Sequence, residues 1–155
     1  MSLINEKKNY KAGIIKGIRA AIPIAIGYIP IAIAFGVISV QSGVSLIQTA
    51  SMSLMVFAGA SQFMAAGMIG SGAGASEIIL ATFILNLRHF IMSMSVMHRF
   101  RDLSKKSAVA LAFGVTDETF AVLSMKEENG DLQEEKFFAG SLILTSYASW
   151  VAGTI

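Results

Sequence analysis

The sequence contains no cysteine. Disulfides, thiolate nucleophiles and cysteine-based metal sites are therefore excluded, and redox-thiol chemistry with them. Charge is also scarce: 14% of the 155 residues are Asp, Glu, Lys or Arg, where soluble domains carry about 25%. The shortage is concentrated in one place. From Ala20 to Ser76, a run of 57 residues, there is no Lys, Arg, Asp, Glu or His, although roughly 20 apolar residues suffice to cross a bilayer once. Proline occurs twice, at Pro23 and Pro30. What remains is 54% hydrophobic with a mean hydropathy of +0.66, which excludes an ordinary cytosolic domain. The pI near 9.0 and net charge of +2 do not indicate a nucleic-acid partner, because the basic residues cluster in short flanks rather than along a solvated face.

The pattern predicts an all-α, polytopic transmembrane helical bundle of about five hydrophobic segments: Ala20–Ser39, Leu46–Gly70, Ile78–Met97, Ser107–Met125, and one from Phe137 onward. Residues 1–19, with Lys7, Lys8, Lys11, Lys16 and Arg19, form a basic N-terminal segment that the positive-inside rule places in the cytoplasm; residues 20–155 form the transmembrane domain. A signal peptide is disfavoured, since apolar sequence continues past any cleavable core. The expected location is a prokaryotic cell (inner) membrane. The last stretch is uncharged from Ser141 to Ile155 and lacks a basic flank, so the chain is expected to be the front portion of a longer protein.

Topology raises a conflict. If the first three stretches all cross, the basic turn from Arg99 to Lys106 falls outside and the acidic loop from Lys126 to Lys136 inside, the reverse of the rule. One stretch should therefore fail to cross. The second, with Phe57-Ala58-Gly59-Ala60-Ser61-Gln62-Phe63-Met64-Ala65-Ala66-Gly67 at its middle, is the candidate for a broken or re-entrant segment around Gly59–Gly67, because glycine weakens a helix and broken backbone is tolerated where it lines a cavity. A plain spanning helix with a small-residue packing face is the competing expectation.

Four ionisable residues lie at membrane depth, where charge is costly and tends to face a pore or a partner: Arg88 and His89 in the third stretch, Asp117 and Glu118 in the fourth. Thr82, Asn86, His89 and Ser93 form one polar helical stripe. Arg88 is expected to point elsewhere and to pair with Asp117 or Glu118. That pair is either a structural lock or one half of a set whose other acid, with His89, binds a cation or relays a proton; an imidazole ordinarily titrates near neutral pH. Pro23, Gly27 and Pro30 share one face and are helix-break candidates, with a packing kink as the alternative. Gln62 is the amide at the centre of the second stretch, and a half-helix starting near Gly59 would offer N–H groups to an anion. Gly70-Ser71-Gly72-Ala73-Gly74 is not a phosphate loop, since no strand precedes it and no Lys-Ser/Thr follows. His89 and His98 have no carboxylate at metal spacing, so no cofactor and no metal are expected. A short echo joins Ala34-Phe35-Gly36-Val37 to Ala112-Phe113-Gly114-Val115.

Together these residues resemble the AzlC/YgaZ family of branched-chain amino acid exporters. The resemblance rests on Gly17-Ile18-Arg19-Ala20-Ala21-Ile22-Pro23, Phe57-Ala58-Gly59-Ala60-Ser61-Gln62-Phe63, Asn86-Leu87-Arg88-His89, Thr116-Asp117-Glu118-Thr119-Phe120 and Ser146-Tyr147-Ala148-Ser149-Trp150, and covers the chain from about Gly13. It implies a large membrane subunit that works with a small hydrophobic partner of the AzlD/YgaH type to export leucine, isoleucine and valine. No Walker A motif is present, which favours secondary over ATP-driven transport, and no Gly-x-Ser-x-Gly or HExxH motif supports an intramembrane enzyme. A zwitterionic substrate needs an anion site, for which the Gly59-to-Gln62 backbone or Arg88 are candidates, and a cation site, for which Asp117 or Glu118 are. Phe57, Phe63 and Met64 are candidates for the apolar pocket. A small-solute channel and a structural membrane subunit are the alternatives.

Overall fold

The computed structural model of the chain describes residues 2–100, 103–127 and 132–155. Among them the regular structure is helical: α1 Ser2–Gln41, α2 Leu46–Val56, α3 Gly59–Gly70, α4 Ala75–Met97 followed by a 3-10 turn at His98–Phe100, α5 Lys105–Phe113, α6 Asp117–Met125 and α7 Leu132–Thr154. The all-α bundle is thus borne out. Tyr10–Gln41 and Ala75–Phe100 are each long and apolar enough to cross a membrane, and α5 with α6 makes a third candidate if the bent pair counts as one span.

α1 follows an inside-out logic. Its buried residues are Gly13, Gly17, Ala21, Ile24, Tyr28, Ala32, Phe35 and Ser39, a stripe repeating every three or four positions. The opposite face is exposed isoleucine, including Ile15, Ile22, Ile26 and Ile33, as a helix surrounded by lipid requires. Pro23, Gly27 and Pro30 lie on that exposed side, and the helix continues through them without a break. Each proline deletes one backbone donor, leaving the carbonyls of Arg19 and Ile26 short of a bond; the other bonds of a 40-residue helix carry the element on. Nor is there a break at residues 19–20, where the basic segment was expected to give way to the first span. α7 likewise begins at Leu132 rather than Phe137.

The chain divides into two compact units, residues 1–25 with 91–146 and residues 26–90 with 147–155. α1, α4 and α7 contribute to both. In the first unit Gly13 and Gly17 let α1 approach α7 closely: a Cβ on Gly13 would lie 2.5 Å from the Glu134 carbonyl oxygen, and one on Gly17 would collide with the Phe138 carbonyl oxygen and Ser141. This is small-residue packing of the kind that holds helices together where lipid removes the hydrophobic incentive. In the second unit the same helices touch through Gly36, against the Thr154 carbonyl oxygen at 2.7 Å, and Gly153, against the Ile29 carbonyl oxygen at 2.9 Å, both measured from an added Cβ.

The second and fourth hydrophobic stretches are each two half-length helices. α2 ends at Phe57, whose φ of +33° is left-handed, unusual for a bulky residue. Eleven and twelve residues reach about 17 Å, roughly half of a 30 Å hydrocarbon core. Gly70, at the end of α3, sits against Ser42 in the turn before α2, so the pair returns to where it started. The expected break is therefore present, but at Phe57–Ala58, while Gly59–Gly70 is helical. α5 and α6 are bent by 119°. Arg99, before the pair, and Lys126, after it, both contact Glu135 Oε1 at 3.5 Å, so this pair also returns to its own side. In the same unit Lys16 bonds Glu134 at 2.7 Å. Lys16, Arg99 and Lys126 thus gather with Glu134 and Glu135 at one end of this unit.

Two glycines of α1 separate packing from propensity. Gly17→Ala should lower the melting temperature of the detergent-solubilised chain, with overpacking of about 1–3 kcal/mol. Gly27→Ala should be neutral or raise it, because its Cβ would meet nothing within 4 Å and Ala outranks Gly in a helix by up to about 1 kcal/mol. Equal responses would contradict the close α1–α7 approach.

Candidate functional site

The break in the second stretch brings several predicted residues together within one unit. Gly59, Ala60 and Ser61 open α3, and their N–H groups belong to the set that a helix start leaves without intrahelical partners; the first helical bond is Gln62 N–H to the Ala58 carbonyl at 3.0 Å. The N-cap residue, Ala58, makes no side-chain cap bond. Ala58, Ser61 and Gln62 are buried. Trp150 lies flat against Gly59, where a Cβ would come within 2.7 Å of the ring, so only glycine fits there.

A closed polar circuit fixes the site from behind. Trp150 Nε1 donates to Gln62 Oε1 at 3.0 Å, Gln62 Nε2 donates to Ser53 Oγ at 3.0 Å, Ser53 and Thr154 hydroxyls share a bond of 2.9 Å, and Thr154 Oγ1 donates to the Trp150 carbonyl at 2.9 Å. Indole N–H can only donate, which orients the amide. Thr154 commits its proton to Trp150, so Ser53 must be the donor to Thr154. All four residues are buried, and each polar atom named has its partner, which is what burial demands. Gln62, singled out as the central amide, is thereby a positioning residue whose oxygen and nitrogen are both engaged.

Aromatic rings surround this circuit. Trp150 packs edge-on to Tyr28 at 5.5 Å and stacks on Phe35 at 6.2 Å, and Phe35 meets Phe63 at 5.5 Å. Phe57 is held between Tyr28 and Tyr147, which keeps its left-handed backbone in place. Tyr147 Oη donates to the Leu54 carbonyl at 2.7 Å, covering one of the orphan carbonyls at the end of α2. Phe57 thus serves as core, while Phe63 and Met64 are half-buried.

On α4 the half-buried positions include Ile78, Thr82, Leu85, Asn86, His89 and Ser93, so the polar stripe does face the protein. Ser61 donates to Asn86 Oδ1, joining the stripe to the start of α3, and Ser93 donates to the Ala112 carbonyl at 3.0 Å. Arg88 is half-buried as well, along the edge of α4 that also carries the half-buried Leu85 and Met92.

Asp117 and Glu118 belong to the other unit and occupy the first turn of α6, immediately after the bend. There Thr116 and Thr119 form a capping box, and the acids oppose the positive end of the helix dipole. The two half-helix starts are thus chemically opposite: α6 is capped and acidic, α3 open and free of acidic side chains. Both acids are exposed on the chain surface. Sequence reasoning missed Arg99, Lys126 and Glu135, whose grouping joins the turn after α4 to residues either side of the loop between α6 and α7. Among the described residues no group of three His, Asp or Glu could hold a metal ion.

Residues 23–155 match the family model described as AzlC protein. The chain belongs to the AzlC family. This AzlC-family chain is 32% identical over 145 residues to the inner membrane protein YgaZ of Escherichia coli, covering 93% of the chain and 59% of that protein. It is 41% identical over 139 residues to an uncharacterized membrane protein of Archaeoglobus fulgidus, covering 90% and 58%. It is 29% identical over 154 residues to the branched-chain amino acid transport protein AzlC of Bacillus subtilis, covering 97% and 60%. The chain therefore spans about 60% of the length of these curated relatives. No solved structure matches it.

Trp150 is the single tryptophan, which makes the circuit directly readable. Gln62→Met should shift Trp150 emission to shorter wavelength and lower stability by about 1–3 kcal/mol, the cost of leaving a buried donor unsatisfied. In a double-mutant cycle with Trp150→Phe, the coupling should be about 1 kcal/mol in thermal melts. Unchanged emission with additive melting shifts would remove the bond.

Proposed function

We propose that this AzlC-family chain forms the substrate-handling part of a branched-chain amino acid exporter, a secondary transporter of leucine, isoleucine and valine in a prokaryotic cell membrane. It would act as a large subunit beside a small hydrophobic partner of the AzlD/YgaH type, with residues 1–19 at the cytoplasmic face and residues 20–155 in the bilayer. The observation that supports this most is the open start of α3. A half-helix N-terminus whose cap residue, Ala58, makes no side-chain cap bond offers several backbone donors and a positive dipole end, which suit the carboxylate of an amino acid.

In this scheme the N–H groups of Gly59 and Ala60 take the carboxylate, and the Gln62–Trp150 circuit holds the half-helix rigid so that its donors stay aimed. Asn86 and His89, on the inward face of α4 in the same unit, meet the polar end of the substrate; Arg88 supplies positive charge along the other edge. In the other unit Asp117 and Glu118 act in coupling, binding and releasing a cation or a proton. The role requires no bond to be made or broken in the substrate. The name of the Bacillus subtilis relative supports the substrate class.

The test is efflux of leucine and valine from dipeptide-loaded cells expressing the chain with its partner. Arg88→Ala, Asp117→Asn and Glu118→Gln should each reduce efflux about ten-fold, the equivalent of ~1.4 kcal/mol, in protein confirmed to be inserted. Undiminished efflux in all three would overturn these assignments. External unlabelled leucine should accelerate efflux of labelled leucine, which a channel does not show, and insensitivity to a pH gradient would exclude proton coupling.

A further inference from the structure

In the first unit, apart from the helix breaks, α1, α5 and α7 leave between them a groove of about 490 Å³. Its walls are apolar, formed by Ile14 and Ile18 of α1, Ala110 and Leu111 of α5, and Phe137 and Leu144 of α7. One charged residue, Lys136, lines it. Gly140 opens the α7 side: a Cβ there would meet nothing within 4 Å. From Lys136 to Leu144 the helix rises about 12 Å, close to the roughly 15 Å depth of one leaflet's hydrocarbon.

Charge at this end of the unit is unevenly shared. Glu134 is engaged by Lys16, and Glu135 by Arg99 and Lys126. None of these pairs includes Lys136. Lys105 and Lys106, both exposed, open α5 directly before Ser107, another lining residue. The groove therefore has an apolar body and a basic end, on the side where the basic N-terminal segment also lies.

We propose that this groove binds one anionic phospholipid, its phosphate at Lys136 and an acyl chain laid along Gly140 and Leu144. Basic pockets between membrane helices attract anionic headgroups, and the open surface over Gly140 accepts a chain without displacing protein. An apolar helix of another protein fits less well, because it would bury Lys136 without supplying a counter-charge.

The test uses the full chain, delipidated in detergent and then supplied with phosphatidylglycerol or phosphatidylcholine, with retained lipid counted by native mass spectrometry. One phosphatidylglycerol per chain should be retained in preference to phosphatidylcholine. Lys136→Gln should weaken phosphatidylglycerol about five-fold, as expected for one basic residue at a membrane surface, and leave phosphatidylcholine unchanged. Gly140→Leu, which places a side chain in the groove, should reduce retention of both in a chain that keeps its helicity and elutes as a single species. Arg19→Gln, an exposed cation outside the groove lining, should change neither. Equal retention of the two lipids, equal losses in Lys136→Gln and Arg19→Gln, undiminished retention in folded Gly140→Leu, or retention of neither lipid by the folded chain would each overturn the proposal.

Discussion

A backbone N–H or C=O that leaves a helix inside a bilayer finds no water to replace its lost partner, and among the described residues two hydrophobic stretches are broken into half-helices. The structure follows from how each break is covered. At Phe57–Ala58 the preceding helix is closed by a tyrosine hydroxyl on the Leu54 carbonyl, while the N-cap residue of the following helix, Ala58, makes no side-chain cap bond. At Gly114–Thr116 the following helix is closed by its own threonines and faced by two acids. The second break is followed by a side-chain capping box, whereas the first is followed by an alanine N-cap that makes none. That asymmetry gives the α3 terminus its interest as an anion site, because a fully capped terminus has nothing left to offer.

Keeping donors open is costly unless the surroundings hold the helix in place. Here the support is a circuit of four buried side chains in which Trp150, Gln62, Ser53 and Thr154 satisfy one another. The same tryptophan packs on Gly59, Tyr28 and Phe35. A rigid, satisfied layer behind an unsatisfied edge is the arrangement expected of a binding site that is formed before its ligand arrives. Close α1–α7 packing through glycines in each unit supplies the frame, since in lipid such contacts do what hydrophobic burial does in water.

Repetition is present in the element order. A long helix followed by two half-helices occurs as α1–α2–α3 and again as α4–α5–α6, with α2 ending at Val56 and α5 at Phe113. The short echo between Ala34–Val37 and Ala112–Val115 does not mark it: the first copy lies within α1, and the second straddles the end of α5. Four small and apolar residues match too easily to fix a register, whereas lengths and breaks carry the repeat without any shared side chain.

The sequence by itself determined the solvent and the class. A 57-residue run without charge can only be accommodated in lipid or in a very large core, and backbone satisfaction in lipid then requires helices. It also pointed to a break in the second stretch, because small residues at Phe57–Gly67 weaken the helix there, and to the inward stripe of Thr82, Asn86 and His89, because spacing alone sets a helical face. Only the tertiary structure decided that α1 survives Pro23 and Pro30, that the fourth stretch folds back as well, and that Arg88 shares the inward side. Those outcomes depend on contacts between residues far apart in the chain: Glu135 with Arg99, Gln62 with Trp150, Gly17 with Phe138. Local pattern can show where a helix is weak, but whether it yields there is settled by what packs against it.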